Sequence, residues 1–239
     1  MLTNLRYALP MAHAASRIAP LLPLTATPIA TGVGYYLAAI AALALTRSTD
    51  GIATLWPSSG ILFAVLLITP RHRIGWHVAA AAVGSLCANL QAGNAVPVSI
   101  GFTVANMGES MVAAWLLRTR SRCRVSFVDP GGLKCFCMAA SLATTAAATI
   151  AVSTAPVPSI GFWFSWFTTD LLGILIVTPL MLIAERIVRG GATRPKRREV
   201  VEAIAMFAMV AIIAGLTFSQ SSYPLLFVPM LAILAAARR

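Results

Sequence analysis

The chain has 239 residues, of which 59% are hydrophobic and only 10% charged, with a mean hydropathy of +0.84. Disorder needs the opposite balance, and a soluble surface cannot be coated with so little charge, since soluble domains carry about 25% charged residues. The net charge of +11 fits Lys and Arg gathered in the cytoplasmic loops of a membrane protein better than nucleic-acid binding, so no nucleic-acid partner is expected.

Residues 1–28 read as a cytoplasmic lead. Pro10, Pro20, Pro23 and Pro28 interrupt any apolar core, and Arg6 and Arg17 are scattered rather than grouped at the front, which argues against a signal peptide. Apolar runs follow at 29–46, 52–69, 75–92, 98–117, 135–155, 162–185, 200–218 and 223–237. Ala and Leu dominate them, without period-2 alternation. The expected fold is therefore all-α, a polytopic transmembrane helix bundle of about eight spans rather than a barrel. The integral membrane domain is expected to run from 29 to 237.

Charge then sets the orientation. Basic connections hold Arg71 and Arg73, then Arg118 to Lys134, then Arg186 to Arg198, and the chain closes on Arg238 and Arg239. The connections at 93–97, 156–161 and 219–222 carry no charge, and Arg47 and Asp50 cancel. The alternation places both termini in the cytoplasm.

Within the spans, small residues recur every four positions at Ala80, Gly84 and Ala88, and at Gly101, Ala105 and Ala113; Ala, Ser and Thr crowd 139–153. Such stripes let helix backbones approach closely in lipid. Glu109 continues the second stripe and so is expected to face other helices, with Asn106 on the same face. Asp170 shares a helix face with Trp166 and Gly173. Acids inside a hydrocarbon span are costly and usually face the protein interior. Counted from the outer ends, Glu109 lies ~16 Å deep and Asp170 ~12 Å, so the two reach one cavity if the fourth and sixth spans are neighbours. No Lys or Arg lies mid-span. Each acid is then protonated, or held by polar neighbours and water, or faces a cationic ligand or proton.

Trp56-Pro57-Ser58-Ser59-Gly60 precedes the run Ile61–Thr69, which alone is too short to cross. Either this span is broken or dips as a loop, as in transporters, or Trp56 sits at the interface and Pro57 starts the helix. Phe162, Trp163, Phe164 and Phe167 read as an interfacial belt. Asn89 is read first as a cap, and His77 as an interfacial side chain. Cys87, Cys123, Cys135 and Cys137 show no spacing of a disulfide framework, and Cys135-x-Cys137 has neither a second pair nor a nearby His to bind metal. No cofactor motif and no nucleophile–base pair is present, so no cofactor and no enzymatic activity are expected. Trp56 to Pro70 weakly echoes Trp166 to Pro179, as a parallel repeat of spans 1–4 and 5–8 would produce.

Four pieces then coincide: Leu55-Trp56-Pro57-Ser58-Ser59-Gly60, Cys87-Ala88-Asn89-Leu90, Ala105-Asn106-Met107-Gly108-Glu109, and Trp166-Phe167-Thr168-Thr169-Asp170-Leu171-Leu172-Gly173 with Pro179. In order and spacing they resemble the bacterial membrane-associated sensor family, MASE type, first class. The resemblance implies an integral membrane input domain of the bacterial cytoplasmic membrane, preceding a cytoplasmic output such as a histidine kinase or a cyclic-di-GMP enzyme. The family's recurrent polar residues map to Trp56, Asn89, Asn106, Glu109 and Asp170. With Trp166 these form the expected ligand site, for a small ligand or a membrane partner; a homodimer is a candidate assembly. Family members commonly continue a little further and carry an output domain, so the chain is expected to be truncated or to work through a partner. A small permease with buried acids is the rival expectation.

Overall fold

The computed structural model describes residues 26–46, 55–119, 127, 129–188 and the positions 197, 198, 201, 202, 204, 205 and 208. Among these the regular structure is helical throughout: α1 (Ala26–Thr46), α2 (Pro57–Ile68), a 3-10 turn (Arg71–Arg73), α3 (Ile74–Gln91), α4 (Val96–Thr119), α5 (Pro130–Thr154) and α6 (Ile160–Val188). They correspond in order to the first six expected spans. The expected seventh and eighth fall almost wholly outside the described residues. In the unit from Gly190 onward, Arg198 Nε donates to Glu202 Oε1 at 2.9 Å.

Among the described residues, four helices are long and apolar enough to cross a membrane: Thr27–Ala44 in α1, Val96–Thr119, Pro130–Thr154 and Ile160–Glu185 in α6. Large apolar side chains such as Val33, Trp76, Val83, Val104, Trp115 and Leu180 are exposed, while Ser58, Ser59, Ser85, Asn106, Glu109 and Thr144 are buried. This distribution suits lipid outside and a polar interior.

Local chemistry starts the helices. Pro57 and Pro130 stand in the first turns of α2 and α5, where the missing N–H costs nothing. The Asp129 carboxylate accepts from Gly132 N at 2.8 Å, and Ser159 Oγ accepts from Phe162 N at 3.0 Å; both are side-chain caps of orphan N–H groups. Small residues then set the contacts. A Cβ on Gly84 would fall 2.5 Å from the Gly32 carbonyl oxygen, so α1 and α3 touch backbone to backbone. A Cβ on Gly101 would collide with Thr154 of α5.

α2, α4, α5 and α6 close a ring, each packing on the next, α6 returning to α2. Across the diagonals, no Cα of α4 lies within 8 Å of α6, and none of α2 within 8 Å of α5. The fourth and sixth spans are therefore not neighbours, which corrects the condition placed on them. α1 and α3 pack together beside this ring, both against α2, with α3 also on α4.

The second span is only half a span. α2 has 12 residues, or ~18 Å, against a hydrocarbon core of ~30 Å. Its register is fixed at both ends. Ser110 Oγ approaches the Ser59 carbonyl at 3.5 Å, and Arg118 Nη2 donates to the Leu67 carbonyl at 3.1 Å. Both pairs are 51 positions apart, so α2 runs parallel to α4. Its first turn then lies ~18–22 Å below the Val96 end of a helix ~36 Å long. The helix starts at Pro57, but Trp56 is not interfacial. Trp56 is 8% exposed, its N–H donates to the Thr169 carbonyl at 3.3 Å, and a Cβ on Gly173 would collide with its carbonyl. His77 is buried, with Nδ1 2.8 Å from Thr31 Oγ1. Cys135 is disulfide-bonded, which the cysteine spacing had not predicted; Cys87 and Cys137 are free.

Candidate functional site

One level of the four-helix ring gathers buried polar groups from every helix. Each helix of the ring contributes one buried group there: Ser59 from α2, Glu109 from α4, Thr144 from α5 and Asp170 from α6. Ser59, Thr144 and Asp170 are the polar side chains that act on the Glu109 carboxyl, without forming hydrogen bonds to it. The carboxyls thus meet along a diagonal, although their helices do not touch.

The sequence puts these groups on the axis by simple periodicity. Glu109 lies between Ala105 and Ala113 on one stripe of α4, and Asp170 between Trp166 and Ile174 on one stripe of α6. Thr144 lies between Ala143 and Ala147. The buried apolar residues form two clusters. Ala105, Ala147 and Trp166 belong to one; Ala113, Ala143 and Ile174 belong to the other. The polar level is the seam between them.

Aromatic pairs close the axis on both sides. Toward the Val96 end, Phe102 of α4 meets Trp166 of α6 at 4.7 Å between ring centroids, with Phe162 5.8 Å from Trp166. Toward the Arg118 end, Phe63 of α2 stacks on Phe136 of α5 at 5.8 Å. Both are offset or tilted arrangements that aromatic rings favour.

Within the seam, hydrogen bonding is incomplete. Ser59 Oγ, both amide atoms of Asn106, both carboxyl oxygens of Glu109, Thr144 Oγ1, Trp166 Nε1 and Asp170 Oδ2 are buried without a hydrogen-bond partner. Buried polar groups are normally paired, and each exception asks for an explanation. No Lys or Arg is among the side chains that act on either carboxyl. The half-helix α2 opens at this level with no side-chain cap. Its N-terminus carries the positive end of the helix dipole, about half an elementary charge.

The expected site residues divide accordingly. Glu109, Asp170, Asn106 and Trp166 stand in the seam, with Trp166 in range of Asp170. Trp56 joins at its edge: its Nε1–H donates at 3.3 Å to the hydroxyl of Tyr35, which lies within electrostatic reach of both acids. Asn89 is engaged elsewhere. Its Nδ2 donates to the Ser85 carbonyl at 2.9 Å and its Oδ1 accepts from Asn94 Nδ2 at 3.1 Å, closing the turn after α3.

Sequence reasoning missed Ser59, Thr144, Tyr35 and Arg118. Lone hydroxyls in an Ala-rich helix carry no signal by themselves. Thr144 could have been found only by noting that it falls in phase with the Ala143 and Ala147 face. Arg118 was read as a loop charge; it also holds the C-terminal carbonyls of Leu67 and Thr69.

The MASE1 family model matches residues 27–239, nearly the whole chain. The chain belongs to the MASE1 family. MASE1 domains are membrane-associated and sensory rather than catalytic, so this chain is a transmembrane sensor domain of signal transduction. No curated protein and no solved structure matches it. Of the four sequence pieces that carry the family resemblance, three meet at the seam: the start of α2, the middle of α4 and the middle of α6. The fourth, Cys87–Leu90, ends α3.

Proposed function

We propose that this MASE1 domain is a sensory input module whose ligand is received at the Glu109–Asp170 seam and whose half-helix α2 carries the response to the Arg118 end of the bundle. The observation that carries the reading is the pair of buried carboxyls from α4 and α6, three of whose four oxygens are buried without a hydrogen-bond partner, beside the N-terminus of α2, which has no side-chain cap. An unmet polar centre favours whatever conformation, ligand or proton satisfies it, and a ligand shifts a two-state bundle only by its differential affinity for the two states. A change of charge at the seam alters the hold on the positive end of α2. The other end of α2 is gripped by Arg118 and leads directly into Arg71–Arg73. By the positive-inside rule that end is cytoplasmic, as are both termini of an eight-span domain in a bacterial inner membrane. The signal passes there to a histidine kinase or a cyclic-di-GMP enzyme, fused or associated; a second copy of the chain is a candidate partner. Asn106 and Trp166 line the ligand position, Trp56 supports it from the start of α2, and Asn89 holds the turn that closes α3.

The test is a fusion of the chain to a reporter kinase or cyclase domain. Glu109→Gln and Asp170→Asn should each change its basal or stimulated output by severalfold with unchanged membrane insertion. Unchanged output in both variants sinks the reading.

One feature favours a second reading. Half-helices ending at mid-membrane beside buried acids also build transporter sites. Uptake into proteoliposomes that depends on Glu109 would support a small permease instead.

A further inference from the structure

Resting on the seam as the sensory site, we infer that its ligand is a hard, oxygen-seeking metal cation of the Na+ or Ca2+ kind, bound largely without water between Glu109 and Asp170. Six of the eight unpartnered atoms are oxygens: both of Glu109, Oδ2 of Asp170, Oδ1 of Asn106, Oγ of Ser59 and Oγ1 of Thr144. They come from all four helices of the ring. Calcium takes six to eight oxygen ligands from carboxylates, amides and hydroxyl-type donors. Soft or imidazole-seeking metals do not fit, since no Cys or His atom is among these unpartnered groups. Mg2+ fits poorly, because it dehydrates reluctantly and usually keeps several waters, whereas all six oxygens are already shut away from the surface.

Charge leads to the same class. With a cation bound, both carboxyls would be ionised and carry two negative charges, of which the start of α2 offsets about half of one. No side-chain cation acts on them. A net deficit of about 1.5 charges remains, which a monovalent or divalent cation neutralises. The two unpartnered donors, Trp166 Nε1 and Asn106 Nδ2, would turn to carboxylate oxygens left free by the ion.

The experiment is thermal unfolding of the purified full chain in detergent, in NaCl, CaCl2 and MgCl2, each against choline chloride at equal ionic strength. A ligand that binds only the folded state raises Tm with the logarithm of its concentration. Such a rise is expected for Na+ or Ca2+, smaller for Mg2+, and absent in Glu109→Gln and Asp170→Asn. Protons compete for the same oxygens, so the apparent affinity should fall on acidification. Should the acid variants fail to fold, Ser59→Ala and Thr144→Val each remove one neutral oxygen. They should raise the half-saturating concentration by about tenfold. Equal Tm in choline and metal chlorides overturns the inference, as does a metal response that survives in the variants. If the metals leave Tm unmoved while the variants still alter the fused reporter, the cation falls and the sensory site stands. If neither changes, both fall.

Discussion

Arg118 Nη2 donates to the Leu67 carbonyl at 3.1 Å, so a single side chain of α4 closes the C-terminal end of α2. The same guanidinium reaches the Thr69 carbonyl. These are carbonyls that a helix cannot satisfy internally, and a cation there also meets the negative end of the helix dipole. α2 is thus held at one end by Arg118 and opens at the other toward Glu109, nine residues earlier on α4.

Removing that closure should loosen α2 at its far end. Arg118→Gln is expected to destabilise the bundle by ~1.5–3 kcal/mol, the range for hydrogen bonds from charged groups. Arg118→Lys should lose less. Thermal melting in detergent measures both. A Gln variant as stable as the parent would show that α2 does not depend on this contact.

The close approach of α2 and α6 gives a second test. Gly173→Ala puts a methyl group against the Trp56 carbonyl, which cannot move without shifting α2. Overpacking of this kind costs ~1–3 kcal/mol. Gly34 faces open space, so Gly34→Ala should cost nothing and serves as the matched control.

Glu109 and Asp170 should behave as a pair. In a double-mutant cycle of Glu109→Gln and Asp170→Asn, groups in contact give interaction energies of ~0.5–3 kcal/mol. Reversible unfolding of the four proteins measures the term. Additivity within ~0.3 kcal/mol would place the carboxyls out of each other's reach.

Trp166 separates packing from hydrogen bonding. Its indole N–H has no partner, but its ring packs on Phe102 and Phe162. Trp166→Phe should therefore stay within ~1 kcal/mol of the parent, since no formed bond is lost. Trp166→Ala should lose ~3–5 kcal/mol. A comparison of their melting curves decides between the two contributions.

The first six elements were legible because apolar runs, Pro at helix starts and alternating loop charge all act locally. The inward turn of Glu109 was legible from its place on the Gly101–Ala105–Ala113 stripe. What escaped depends on contacts distant in sequence. The length of α2 is fixed by where Trp56 meets Thr169 and Gly173, over 110 positions away. The ring, in which α4 and α6 face each other without touching, follows from pairwise packing that no single span encodes. Ser59 and Thr144 gain meaning only once α2 and α5 are placed opposite each other. Asn89, read first as a cap, uses its amide on neighbours four and five positions away.

In lipid, oiliness gives a helix little reason to prefer one rotation about its own axis over another. A slip of α4 by one residue would swing Glu109 by about 100°, toward the acyl chains, at a cost of several kcal/mol. The acids therefore act as keys that index each helix in the membrane, and a substitution chosen to silence sensing also frees α4 or α6 to turn.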